Sequence, residues 1–105
     1  MTTFDDRKDT FERKFAHDEE LRFKATARRN KLLGLWAAQR LGKSGADAEA
    51  YAKSVVLADF QEAGDDDVLR KVRGDLEGAG VSETDVRAQM NTLMAQAVKE
   101  IMEGR

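Results

Sequence analysis

Residues 4–15 read FDDRKDTFERKF and place Phe4, Phe11 and Phe15 among eight charged residues. Steps of seven and four put the three rings on one face of a helix. Such a stripe makes and breaks no bonds; its chemistry is recognition, an amphipathic helix laid into an apolar groove. A second cluster, ARRNK at 27–31, brings Arg28, Arg29 and Lys31 together, with Arg22 and Lys24 one turn earlier. Guanidinium and ammonium groups in that density can meet phosphate, on a nucleotide or an acidic protein surface. No glycine-rich phosphate loop accompanies them, so a Walker-type site is excluded and only weak ADP or ATP binding stays open. A solvated helix face is the simpler account of the run. The acids in GDDDV, residues 64–68, are too close together for an EF-hand loop, which needs spread ligands and a late glutamate. They suit the start of a helix instead. His17, the one histidine, sits beside acids in HDEEL and reads as an exposed residue without a role. With no second histidine and no cysteine there is no chelate, so no metal is expected. No serine or cysteine has a plausible base partner, and no catalytic residue is assigned: the chain does not read as an enzyme.

Helices must carry these groups. Gly42 ends a long periodic stretch. Ser44 with Asp47 has capping-box spacing, Gly64 stops the next segment, the Asp65–Asp67 run opens a third, Gly78 and Gly80 close it, and Ser82 with Asp85 opens the last. The expected helices span about 20–41, 45–63, 66–78 and 83–103. Their apolar stripes are Leu21, Ala25, Leu32, Leu35 and Trp36; Ala48, Tyr51, Ala52, Val55, Val56 and Phe60; Val68, Leu69, Val72, Leu76 and Ala79; and Val86, Met90, Leu93, Ala97, Val98 and Ile101. No stretch alternates as a strand does. Short connections favour antiparallel packing, so the expected fold is all-α: a four-helix bundle over 20–105, preceded by an N-terminal segment over 1–19. Trp36 and Tyr51 read as bundle core.

Composition agrees. The chain has 105 residues, no proline, no cysteine, 36% charged and 41% hydrophobic residues, which is enough for one small helical domain. A net charge of -2 gives no pull toward nucleic acid or anionic membrane. No apolar run is long enough to span a bilayer, and the acids Asp5 and Asp6 are wrong for a signal peptide. A soluble intracellular protein is expected.

Helix length bears on the aromatic stripe. One helix from Asp5 to Leu41 would be roughly 55 Å long, while the later segments span about 20–31 Å. The first part must therefore project, fray or fold back. Burying three phenylalanines yields roughly 5–9 kcal/mol, against about 12–24 kcal/mol of backbone entropy for a dozen residues. Isolated helices of this length are marginal. The stripe either enters a partner's groove or folds onto the bundle as core, and the residues alone leave both open. Two apolar turns are too short for a coiled-coil dimer seam, so the free chain is expected to be monomeric.

The stretches TTFDDR, KFAHDEELRFKATARRNKLLGLWAA and AYAKSVVLADFQEAGDDDVLRKVR together resemble the zeta subunit family, the alpha-proteobacterial inhibitors of the F-type ATP synthase. The resemblance covers nearly the whole chain and is loosest in the final helix. It implies a non-catalytic regulatory subunit with a four-helix bundle and an N-terminal inhibitory segment. It further implies a partner, the soluble head of ATP synthase, on the cytoplasmic side of the membrane. There the segment enters an interface between catalytic and non-catalytic subunits near the central shaft and blocks rotation in the hydrolysis direction. The resemblance supplies the partner; our own expectation for the residues is that Phe4, Phe11 and Phe15 are the buried contacts, flanked by Asp5, Arg7, Lys8, Glu12, Arg13 and Lys14 as rim charges that set register and encounter rate. No cofactor is required; the resemblance adds weak ADP or ATP binding on the bundle, and Arg28, Arg29 and Lys31 are the candidates for it.

Overall fold

The computed structural model describes residues 19–59 and 65–104. Expectations placed on residues 1–18, on Phe60 and on Gly64 concern positions outside the described residues. The described residues form α1 (Glu19–Arg40), α2 (Gly45–Ala58), α3 (Asp66–Leu76) and α4 (Glu83–Met102), with a 3₁₀ turn, Glu77–Ala79, after α3. There is no strand among them. The four helices pack as a bundle around α1, which touches the other three.

Local chemistry accounts for most of the helix ends. Gly42 adopts φ 76°, and its N–H donates to Gln39 O at 3.1 Å while Lys43 N–H reaches Ala38 O at 2.9 Å. That bond pair is a Schellman motif, which satisfies the last carbonyls of α1 and requires a left-handed residue, hence glycine. Gly80 repeats the left-handed stop after the 3₁₀ turn, at φ 77°. At α4 the capping box is complete: Asp85 N–H donates to Ser82 Oγ at 3.1 Å and Ser82 N–H to Asp85 Oδ2 at 3.2 Å. Val81 before the cap and Val86 after it both pack on the core, the arrangement of a hydrophobic staple.

Two expected caps are absent. Ser44 is extended but its hydroxyl makes no cap bond. The next residue, Gly45, sits at φ 55°, so the first turn leaves the right-handed path and the hydroxyl misses the Asp47 amide. Asp65 precedes α3 in right-handed rather than extended backbone and also makes no cap bond; its carboxylate is engaged elsewhere.

The core comprises Leu33, Ala37, Val55, Val68, Leu69, Val72, Leu76, Val86, Met90 and Leu93. The expected stripe holds for α3 through Leu76, while Ala79 is exposed. On α1 it shifts. Ala25, Leu33, Gly34, Ala37 and Ala38 are buried, while Leu21, Leu32, Leu35 and Trp36 are only partly covered. Bulk marks the α1 core poorly because α2 comes too close for bulk. A Cβ built on Gly34 would lie 2.5 Å from Ala52 Cα. Trp36 instead carries Arg40 over its ring, 5.5 Å from the centroid. Tyr51 bridges α2 to α3: its hydroxyl donates to Asp75 Oδ2 at 2.8 Å, and Lys71 Nζ donates to the same oxygen at 3.0 Å. Burial first, then the bond to Asp75 and its charge, pushes the phenol above its ordinary range.

Two glycine substitutions separate propensity from packing. Alanine in place of glycine raises helix propensity by about 1 kcal/mol. Gly74→Ala meets nothing within 4 Å and is expected to raise the unfolding free energy by that increment, and the urea midpoint with it. Gly34→Ala meets backbone, which cannot swing aside, and overpacking of this kind costs about 1–3 kcal/mol. Its midpoint is expected to fall below the parent despite the same gain in propensity.

Candidate functional site

The three basic residues of ARRNK do not converge. Consecutive helical residues are about 100° apart, and each of the three takes a different neighbour. Arg28, half-buried, points toward α4, with Nη1 3.4 Å from Glu100 Oε2. Arg29 turns inward and is 2% exposed. Lys31 lies at the surface between α1 and α2.

Arg29 forms the most buried polar contact described. Its Nε and Nη2 donate to Asn30 Oδ1 at 3.0 and 2.7 Å, and Nη2 also donates to Asp65 Oδ1 at 2.8 Å. A guanidinium out of water is tolerable only with such charge-assisted bonds. The pair also explains the missing cap: the Asp65 carboxylate serves Arg29 across the bundle rather than the first amides of α3. The hydrogen bond from Arg29, reinforced by its charge and opposed by partial burial, holds the Asp65 carboxyl below its ordinary 3.8. Asp59, at the C-cap of α2, goes the other way. Burial raises it first; Asp65 and Asp67 add to that, and Arg29 and Asn30 oppose it. Asn30 Nδ2 is buried with no hydrogen-bond partner. Arg29, held by Asn30, thus ties α1 to the start of α3 as a brace. No spacing in the sequence signals this, because Arg29 sits in a run of surface cations and its partner lies 36 residues away.

Lys31 lines a shallow groove between α1 and α2, of about 420 Å³, with Glu49, Ala50, Ala52, Lys53 and Val56. Alanines and a valine make the floor; lysine ammonium groups and one carboxylate make the rim. Neither Lys31 nor Lys53 is paired with an acid among the described residues. An apolar floor with two available cations suits an anionic ligand or segment with an apolar body. Lys53 was not singled out from the sequence. It becomes a neighbour of Lys31 only through the antiparallel register of α1 and α2, which the Gly34–Ala52 contact fixes. Among the described residues, no cluster of three or more His, Cys, Asp or Glu could hold a metal ion, and no helix is long and apolar enough to cross a membrane. The aromatic-stripe residues Phe4, Asp5, Arg7, Lys8, Phe11, Glu12, Arg13, Lys14 and Phe15, and His17, lie outside the described residues.

Comparison with known proteins adds the following. A family model described as ATPase inhibitor subunit zeta matches residues 1–100. A protein solved by solution NMR is similar at 56% identity, with a TM-score of 0.74, over 81% of this chain and 99% of its own. No curated protein matches.

The brace titrates with two opposite signs. Asp65, depressed in the folded chain, contributes stability above 3.8 that is lost as pH falls through its lower folded pKa. Asp59, raised, carries a penalty once ionised; the penalty is absent below 3.8 and full above the folded pKa. At pH 7, Asp65→Ala is expected to lower stability by about 1.5–3 kcal/mol, the worth of a hydrogen bond to a charged group. Asp59→Asn is expected to raise the urea midpoint at the same pH. At about pH 3 both differences should contract. Urea titrations of the three proteins at the two pH values check this.

Proposed function

The chain belongs to the ATPase inhibitor subunit zeta family, and we propose that it restrains ATP hydrolysis by the F-type ATP synthase through its N-terminal segment. In this reading the bundle is a rigid body that stays outside. Residues 1–18 enter an interface of the soluble head, between catalytic and non-catalytic subunits near the central shaft, and resist rotation in the hydrolysis direction. The observation that carries the reading is the reach of the family match, which begins at residue 1 and so includes FDDRKDTFERKF. Phe4, Phe11 and Phe15 supply the apolar contact. Asp5, Arg7, Lys8, Glu12, Arg13 and Lys14 supply rim charges, which act mainly on encounter and register.

The test is hydrolysis by the cognate ATPase in the presence of the full chain, of a version lacking residues 1–17, and of Phe4→Ala, Phe11→Ala and Phe15→Ala. The full chain is expected to inhibit and the truncated one not to. Each alanine variant should weaken inhibition by at least tenfold, since the few aromatic anchors that dominate an interface cost about 2 kcal/mol or more when truncated. Equal inhibition by all the alanine variants would dismiss the stripe, and inhibition by the truncated chain would move the function to the bundle.

A second reading concerns ADP or ATP, and the α1–α2 groove favours it. Lys31 and Lys53 stand over an apolar floor, where an adenine could lie against Ala50 and Val56 with its phosphates between the ammonium groups. This divides the ARRNK cluster: Lys31 takes the ligand role, Arg29 stays in the brace and Arg28 stays with Glu100. In an ATP titration followed by amide chemical shifts, the largest changes are expected at Lys31, Ala50 and Lys53. Lys53→Glu should weaken the interaction about tenfold, from loss of one charge-assisted contact. Shifts centred on Arg28 and Glu100 would refute this placement.

A further inference from the structure

The third helix is the least secured of the four. We infer that α3 is a detachable strap: it comes off the bundle as one unit while α1, α2 and α4 stay packed, and two acidic side chains at its ends, Asp65 and Asp75, clasp it in place.

Three observations carry this. The first is the helix itself. α3 has 11 residues, fewer than the roughly 12–15 below which an isolated helix is marginal in water. Gly74 lowers the propensity of its last turn, and Asp65 makes no cap bond to its first amides. α4, by contrast, has 20 residues and a complete capping box. The second is packing. α1 packs more extensively on α2 and on α4 than α3 packs on any helix. The Gly34–Ala52 approach keys α1 to α2 through backbone, whereas α3 is held by the buried side chains of Val68, Leu69, Val72 and Leu76. The third is where its polar ties fall. At its start, Asp65 Oδ1 accepts from Arg29 Nη2 of α1 at 2.8 Å. In its last turn, Asp75 Oδ2 accepts from the Tyr51 hydroxyl of α2 at 2.8 Å. The two ties run to different helices and fasten opposite ends, and apolar contact fills the span between them.

Opening parts Val68, Leu69, Val72 and Leu76 from Leu33, Val55, Val86, Met90 and Leu93, with which they form the core. It bares two apolar faces at once, that of α3 and that of the cleft it leaves. When closed, α3 turns Asp66, Arg70 and Arg73 outward instead, and the bundle presents a charged surface there. The device stands apart from the inhibitory role proposed above and is measured without the ATPase, so the two can fail separately.

Native-state hydrogen exchange of the full-length chain, in water and in low urea, tests this. The α3 amides of Leu69, Val72 and Leu76 should share one opening equilibrium. It should be at least about tenfold more populated than the opening that releases Leu33 and Ala37 of α1, Val55 of α2 and Leu93 of α4, and less steep in urea because less surface is exposed. Two variants separate the strap from the whole. Ala97 lies 14 residues beyond Glu83 on α4, about 21 Å from the turn, past the roughly 16 Å that α3 spans in running back from it. Ala97→Gly therefore weakens α4 where α3 has no part. Exchange should rise about fivefold in α1, α2 and α4 and stay at the parent rate in α3. Asp65→Ala removes a clasp made only in the closed state, so exchange should rise about tenfold in all four helices alike. Equal rates and urea slopes for α3 and α4 in the parent chain would overturn the inference, as would acceleration of α3 by Ala97→Gly. So would graded rates along α3 with no common urea slope, which describe fraying from one end.

Discussion

The spacing of α1 and α2 governs much else in this bundle, and it is set where Gly34 meets Ala52. With a Cβ on Gly34 falling 2.5 Å from Ala52 Cα, these backbones approach too closely to admit any side chain there. The approach forces the α1 interior to be built from small residues, Ala25, Ala37 and Ala38 beside Leu33, and leaves its larger side chains at the margins. It fixes the register that brings Lys53 beside Lys31. It also keeps the groove between the helices shallow, because its floor is alanine and valine. Glycine in a helix interior normally weakens it; here the lost propensity is exchanged for contact that no other residue permits.

Much of the architecture was legible in the sequence, for reasons that can be named. Gly42 and Gly80 adopt the left-handed backbone their positions after apolar runs implied. Ser82 and Asp85 form the reciprocal bonds their spacing implied. Such signals are local: the chemistry that ends a helix lies within a few residues of the end. The identical pattern at Ser44 and Asp47 fails because an intervening glycine changes the backbone path. Periodicity also located the inward faces of α3 and α4. On α1 it caught Ala25 but put Leu32, Leu35 and Trp36 where the small residues Gly34, Ala37 and Ala38 are the buried ones.

The candidate site was less legible, because its decisive relations are long-range. Arg28, Arg29 and Lys31 are nearly adjacent in sequence and serve three different neighbours: Glu100, Asp65 and the α1–α2 groove. A run of cations reads as one patch only in an extended chain; on a helix it is distributed around the axis. The acids at 65–67 raised the converse difficulty. Asp65 has the residue type and position of a cap, yet a buried guanidinium is the stronger claimant on its carboxylate, and the first turn of α3 forgoes the bond.

The inward turn of Arg29 has a consequence for how the molecule responds to its ionic surroundings. Mobile ions screen exposed charges over roughly a nanometre at physiological strength, and buried pairs much less. Contacts such as Lys24 with Glu20 and Arg87 with Glu83 stand in solvent and fade as salt rises. The guanidinium of Arg29 lies at 2% exposure against Asn30 and Asp65, where the ionic atmosphere barely reaches. The bundle therefore divides its electrostatics into a part anchored on buried Arg29, which salt screens less, and an exterior part tuned by it. Its architecture can stay constant across cellular conditions while its surface remains responsive to them.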